Sequence, residues 1–101
     1  MKRYRVSKDA EKDLEEIFAF WAERANLEIA DRLIDAITDR FWLLGEYPDS
    51  ARECHDVAPG ARCFPAGEYL IYYRKKRRVA EIAHVFRGAR NQRKAWRAGK
   101  R

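Results

Sequence analysis

The stretch FWAERANLEIADRL, residues 20–33, decides the fold. On its N-terminal side Ala10, Leu14, Ile17, Phe18 and Trp21 recur at helical spacing and form one apolar stripe. On its C-terminal side Ala30, Leu33, Ile34, Ile37, Phe41 and Leu44 form a second. Asn26 breaks the first helix, and the second begins near Leu27 and runs to about Gly45, which suits a C-cap, with Pro48 barring continuation. Two amphipathic helices joined by so short a turn make an antiparallel hairpin. Upstream, Arg3–Val6 reads as a short strand, and Ser7 as an N-cap with Asp9 and Glu11 in the first turn, where acids suit the helix dipole.

After a loop over residues 46–60, strand character takes over. ARCFP follows Gly60, EYLIYYR follows Gly67, and VAEIAHVF follows the run KKRR at 75–78. Three strands separated by short turns make an antiparallel meander. Tyr69, Ile71 and Tyr73 share one face while Leu70 and Tyr72 occupy the other, so the helices would cover one face and a partner the other. The order is β-α-α-β-β-β. This is an α+β fold, a helical hairpin packed on a small, mainly antiparallel sheet, read as a single domain over 1–101. Residues Asn91–Trp96 could add a short terminal helix, within a basic tail of about 91–101.

No apolar run reaches the roughly 20 residues that span a bilayer, and the N-terminus lacks the apolar core of a signal peptide, so a soluble cytoplasmic protein is expected. Cys54 and Cys63 do not make a disulfide framework and are expected to stay reduced. With His55 and His84 they lack the paired spacing of zinc modules, so no metal and no cofactor is expected.

Charge is asymmetric. Residues 1–50 hold 8 Lys/Arg against 12 Asp/Glu, and residues 51–101 hold 14 against 4. From Arg87 onward there are seven cations and no acid. Such a distribution points to an acidic partner, either nucleic acid or protein. The alternative for the last few residues is a solvated basic tail. Two aromatics lie off their stripes. Phe20 sits about 110° and Trp42 about 130° from the stripe centres, at 100° per residue. Phe20 fits ordinary partial burial at a stripe edge better than an interface; Trp42 reads as a surface hydrophobe awaiting another chain.

Taken in order, SKDAEKDLEEIFAFW, YPDSAR, PGAR, YLIYYR and VFRGARN resemble the RelE/ParE superfamily of toxins from type II toxin–antitoxin systems, in its ParE-like branch. The likeness runs along almost the whole chain. Departures are Ala51 where a glycine often precedes Arg52, Arg87 where a histidine often stands, and Asn91 in place of an acid. The resemblance implies the β-α-α-β-β-β fold and a toxin neutralised by a co-expressed ParD-like antitoxin in a hetero-oligomer. The antitoxin's tail is expected to be acidic and amphipathic, suiting Phe20 and Trp42 as antitoxin contacts.

Two mechanisms live on this fold. A ParE-like toxin poisons DNA gyrase by binding, expected here through Arg87, Arg90 and Trp96, with Arg52 and Arg62 either sharing that role or pairing with acids of the antitoxin, and Arg62 equally able to serve as an ion pair bracing its strand. A RelE-like toxin cuts ribosome-bound mRNA and needs proton carriers beside its cations. Arginine stabilises a phosphorane but cannot carry the proton at neutral pH. His84 is the candidate under that alternative, although a lone strand histidine is more often a satisfied, half-buried residue, with Glu81 on the other face of a regular strand and His55 beside Arg52. No tyrosine follows Tyr73 to take the place of the C-terminal tyrosine that resembling ribonucleases use. The residues favour the binding toxin.

Overall fold

The structure is a computed structural model and describes residues 3–55 and 57–88. Strand β1 (Tyr4–Val6) leads into α1 (Lys8–Arg24) and α2 (Leu27–Glu46). Strands β2 (Arg52–Glu53), β3 (Arg62–Ala66), β4 (Tyr69–Lys76) and β5 (Val79–Arg87) follow. They form one sheet in the order β1-β5-β4-β3-β2, antiparallel except that β1 runs parallel to β5. The expected order thus holds, with β2 as an added two-residue edge strand inside the stretch read as loop. The expected helix over Asn91–Trp96 lies outside the described residues.

Both helix starts are capped as their sequence requires. Ser7 Oγ accepts from the Ala10 amide at 3.0 Å, and Asn26 Oδ1 accepts from the Ile29 amide at 2.8 Å. The first helix ends at Arg24 and the second starts at Leu27, so Asn26 is both the break and the new cap.

The core lies between the hairpin and the sheet. Ile17, Ile37, Phe41 and Leu44 from the helices meet Ile71, Tyr73, Ile82 and Val85 from β4 and β5. Tyr73 also donates from its hydroxyl to the Pro48 carbonyl at 2.7 Å, anchoring the chain as it leaves α2; burial pushes this phenol above its ordinary range. The opposite face carries a second cluster, in which Cys54, Val57, Ala58 and Ala61 cover Cys63 and Tyr72. The loop after β2 therefore covers much of the face that the sequence left to a partner. Cys54 and Cys63 are joined by a disulfide, correcting the expectation of two separate thiols. The β2–β3 ladder and the hydrogen bond from the Cys54 amide to the Ala61 carbonyl bring their Cα atoms to 6.1 Å, within the span such a bond requires.

Strand β5 is not regular. Tyr73 pairs with Ile82 and Tyr72 with His84, leaving Ala83 as an extra, unpaired residue in a β-bulge. Below the bulge Ala80 and Ile82 face the helices; above it Val85 does. The bulge also puts Glu81 and His84 on one face, opposite Arg74 and Tyr72, where a regular strand would have separated them. The outer edge of β5 pairs with β1 only as far as Ile82. Beyond that point α1 supplies the partners. The Ser7 amide donates to the Ile82 carbonyl and Ser7 Oγ to the Ala83 carbonyl, both at 3.0 Å, while Asp13 Oδ2 accepts from the Val85 amide at 3.0 Å.

Gly45 lies within α2, whose C-cap is Tyr47, and not at the cap position that the sequence suggested. A Cβ there would stand 2.9 Å from the Arg3 carbonyl carbon, so the glycine lets α2 approach the backbone just before β1. Gly45→Ala should therefore destabilise the protein by about 1–3 kcal/mol, the usual cost of overpacking, although alanine favours a helix by up to about 1 kcal/mol. Urea unfolding checks the sign: a lower midpoint is expected, and a higher one would mean that propensity outweighs the contact.

Candidate macromolecule-binding face

The candidate residues distribute over two places. At one, β5 ends in Phe86 and Arg87, and the Gly88 amide donates to the Glu68 carbonyl at 2.8 Å, tying the strand exit to the β3–β4 turn. Arg87 is exposed and pairs with Glu68 at 2.7 Å. Being of the same parity as Val85 above the bulge, Arg87 turns toward α1. There it borders a cleft of about 320 Å³ whose other walls include Asp13, Glu16, Phe20, Tyr69 and Phe86. Trp21 Nε1 donates to the Tyr69 hydroxyl at 2.9 Å and fixes the wall behind it. Phe20 is half-exposed, packs edge-on against Trp21 at 5.4 Å, and carries the Arg24 guanidinium over its face at 4.4 Å.

The second place is the β2–β3 edge. Arg62 is largely buried, donates to the Ala51 carbonyl at 2.7 Å, and lies 3.7 and 3.8 Å from Asp49 and Glu53. Its contacts are those of the strand brace weighed as its alternative role. Arg52 is exposed and sits opposite Cys63 on the helix-free face. In the sheet register Arg62 stands level with Tyr73, and Arg87 level with Tyr69. Four residues of strand, roughly 13 Å at about 3.3 Å per residue, and two intervening strand spacings separate them. The structure does not gather these arginines into one site. Arg90 and Trp96 lie outside the described residues. Trp42 is 58% exposed on α2 and is not part of the cleft.

His84, the candidate proton carrier, is only 3% exposed. Its Nδ1 lies 3.1 Å from Asp13 Oδ2, and its ring stacks on Phe86 with centroids 4.7 Å apart. In this packing the imidazole is shielded from any phosphodiester. His55 is exposed beside Glu53 at 3.4 Å, away from Arg87. Sequence reasoning missed the cleft itself, because it forms only when the bulge turns Arg87 to face Glu16 and Phe20 from α1. Asp13 could have been suspected, as an acid at the edge of an otherwise apolar stripe.

The family model of the ParE toxin of type II toxin–antitoxin systems, parDE, matches residues 4–92. The chain belongs to the ParE toxin family. A curated relative, Toxin ParE1 of Caulobacter vibrioides, is 28% identical over 93 residues, covering 92% of this chain and 96% of the relative. Among solved structures, a chain of the chromosomal ParDE toxin–antitoxin system from P. aeruginosa superposes with a TM-score of 0.78 at 18% identity, covering 88% of this chain and 98% of that one. That likeness establishes the shared fold: two helices on a five-stranded, mixed sheet. The chain is thus a ParE-like toxin of a type II system, and no helix among its described residues is long and apolar enough to cross a membrane.

The burial of His84 gives it the role of a packing and hydrogen-bonding residue. His84→Gln should lower stability by about 1–3 kcal/mol, the scale of disturbing a buried polar pair. Target inhibition per mole of folded protein should stay unchanged. Denaturation and activity measured on the same sample separate the two, and lost activity in fully folded protein would make His84 functional.

Proposed function

We propose that this ParE-family toxin acts inside the cell by binding DNA gyrase and trapping its cleaved-DNA state, and that a ParD-like antitoxin holds it inactive. The observation that carries this reading is the burial of His84 beside Asp13, which leaves Arg87 without an accessible imidazole next to it. The other ionisable side chains that line the cleft are the carboxylates of Asp13 and Glu16 and the Tyr69 phenol, whose oxygen accepts from Trp21 Nε1. Asp13 is already engaged by the Val85 amide and the His84 imidazole, and two carboxylates repel the phosphodiester that a ribonuclease must hold. A cation at a rigid strand end suits binding better than bond cleavage. Arg87 is the principal described contact, Arg52 a secondary one, and Arg90 and Trp96 continue the same chain segment.

The antitoxin reading draws on the exposed aromatics. Phe20 at the cleft and Trp42 on α2 are apolar surface that an amphipathic segment would cover, since aromatics anchor interface cores. In a reducing cytoplasm the Cys54–Cys63 bond would face a thiol pool. Both sulfurs lie in the buried cluster beneath the loop, so packing would hold that face in either redox state.

The second reading, a ribosome-dependent mRNA endonuclease, is tested alongside the first. Purified protein should block gyrase supercoiling and accumulate cleaved DNA while mRNA in a translation reaction stays intact. Arg87→Ala should weaken that inhibition about tenfold or more, as expected when a charge-assisted contact of roughly 1.5–3 kcal/mol is lost. Codon-positioned mRNA cuts with gyrase untouched would reverse the assignment.

A further inference from the structure

The end of the sheet farthest from Arg87 carries a second concentration of charge that the toxin reading does not use. Arg74 and Lys76 of β4 lie on the helix-free face, and the β4–β5 turn adds Arg77 and Arg78. Arg5 joins them from β1, level with Glu81 in the register. Glu81 is the acid at the centre. It accepts from Lys76 at 3.0 Å and from Arg5 at 3.0 Å, and these two hydrogen bonds hold its carboxyl below the ordinary range.

This one carboxylate fixes two cations from different strands on one face, while both keep more than half of their side chains exposed. Arg74 donates from Nε to the Pro59 carbonyl at 3.3 Å, which holds its stem along the sheet. Arg77 and Arg78 stand exposed in the turn, and no carboxylate among the described residues pairs with either. Arg77 has φ +53°, the left-handed conformation of a tight two-residue hairpin turn.

The kind of partner follows from what the patch lacks. Protein interfaces are organised around a buried apolar centre. The large exposed hydrophobics Phe20, Leu27, Ile29, Trp42 and Tyr47 all lie on the helical hairpin or its C-cap, and none is in this patch. Phosphate groups need no apolar anchor; they need arginine and lysine at fixed spacing. We propose that the β4–β5 turn and the adjacent helix-free face bind the phosphate backbone of duplex DNA, at a site separate from the Arg87 rim. The contact is sequence-independent, because no side chain in the patch is placed by the fold to read a base edge. It does not depend on gyrase being the target, since free DNA suffices to detect it.

The salt dependence of binding tests this. Each phosphate neutralised contributes roughly 0.9 to the slope of log K against log salt. Anisotropy of a labelled duplex of about 20 base pairs, titrated with full-length protein over a range of NaCl, gives that slope. The double variant Arg77→Gln/Arg78→Gln, which disturbs no ion pair, should lower its magnitude by about 1.8, and adding Lys76→Gln should lower it by about 2.7. An unchanged slope in the double variant would overturn the proposal. A drop confined to the triple variant would reflect the disturbed Glu81 pairing and equally reject the turn as the site. Competition provides the second arm: polyglutamate that displaces the duplex as well as unlabelled DNA does, charge for charge, would show that the patch does not select phosphate.

Discussion

The Asp13 carboxylate is the constraint on which the proposed binding end of this molecule depends. It accepts from the Val85 amide at 3.0 Å and lies 3.1 Å from the His84 imidazole, at the point where β5 has lost its β1 neighbour. A buried amide without a partner costs roughly 1–3 kcal/mol, so an exposed strand edge cannot simply be packed under a helix. Ser7 and Asp13 solve this by extending the edge with a helix cap and a helix side chain. The bulge at Ala83 becomes affordable because its displaced carbonyl and the amide beyond it are both satisfied. Its consequence is a change of parity. Val85 enters the core, and Arg87, two residues on, turns to the same side as α1.

That geometry connects fold to function. A binding toxin has to present cations in fixed positions to a large target, since disorder in the binding group would be lost on association. On the proposed reading Arg87 meets this condition through three restraints: the bulge, the Gly88–Glu68 backbone hydrogen bond, and the ion pair with Glu68. The helical hairpin meets a different need. Its outer surface is rich in acids and carries the exposed aromatics, while the sheet carries most of the described cations outside the hairpin. On the proposed reading, target and antitoxin both reach the cleft between Arg87 and Phe20, and the DNA-phosphate site at the far turn stands apart from it.

Much of this was legible in the residues. The two apolar stripes and Asn26 located both helices, because helix period and caps are local signals. The three main strands emerged from Gly60, Gly67 and the basic turn for the same reason. What escaped was non-local. The two residues of β2 form a strand only because β3 is there to pair with them. Cys54 and Cys63 gave no signal in their spacing, since the β2–β3 pairing is what brings them together. Gly45 looked like a helix terminus when its role is to admit the Arg3 backbone. His84 read more readily as a half-buried strand histidine than as a proton carrier, and the structure buries it against Asp13 and Phe86, on the face to which the bulge turns it. The arginines at 52, 62 and 87 read as one basic set, yet the sheet register spreads them apart.

The account is tested most directly by the exchange rate of the Val85 amide proton. If Asp13 holds the edge of β5, that proton exchanges in the native protein only through large-scale opening, at a rate close to that of the α2 core amide of Ile37. Removing the carboxylate in Asp13→Ala should then accelerate Val85 selectively, by about tenfold or more for a lost contact of at least 1.4 kcal/mol. A Val85 amide that already exchanges as fast as the exposed strand edges in the unaltered protein would contradict the claim that α1 completes the sheet.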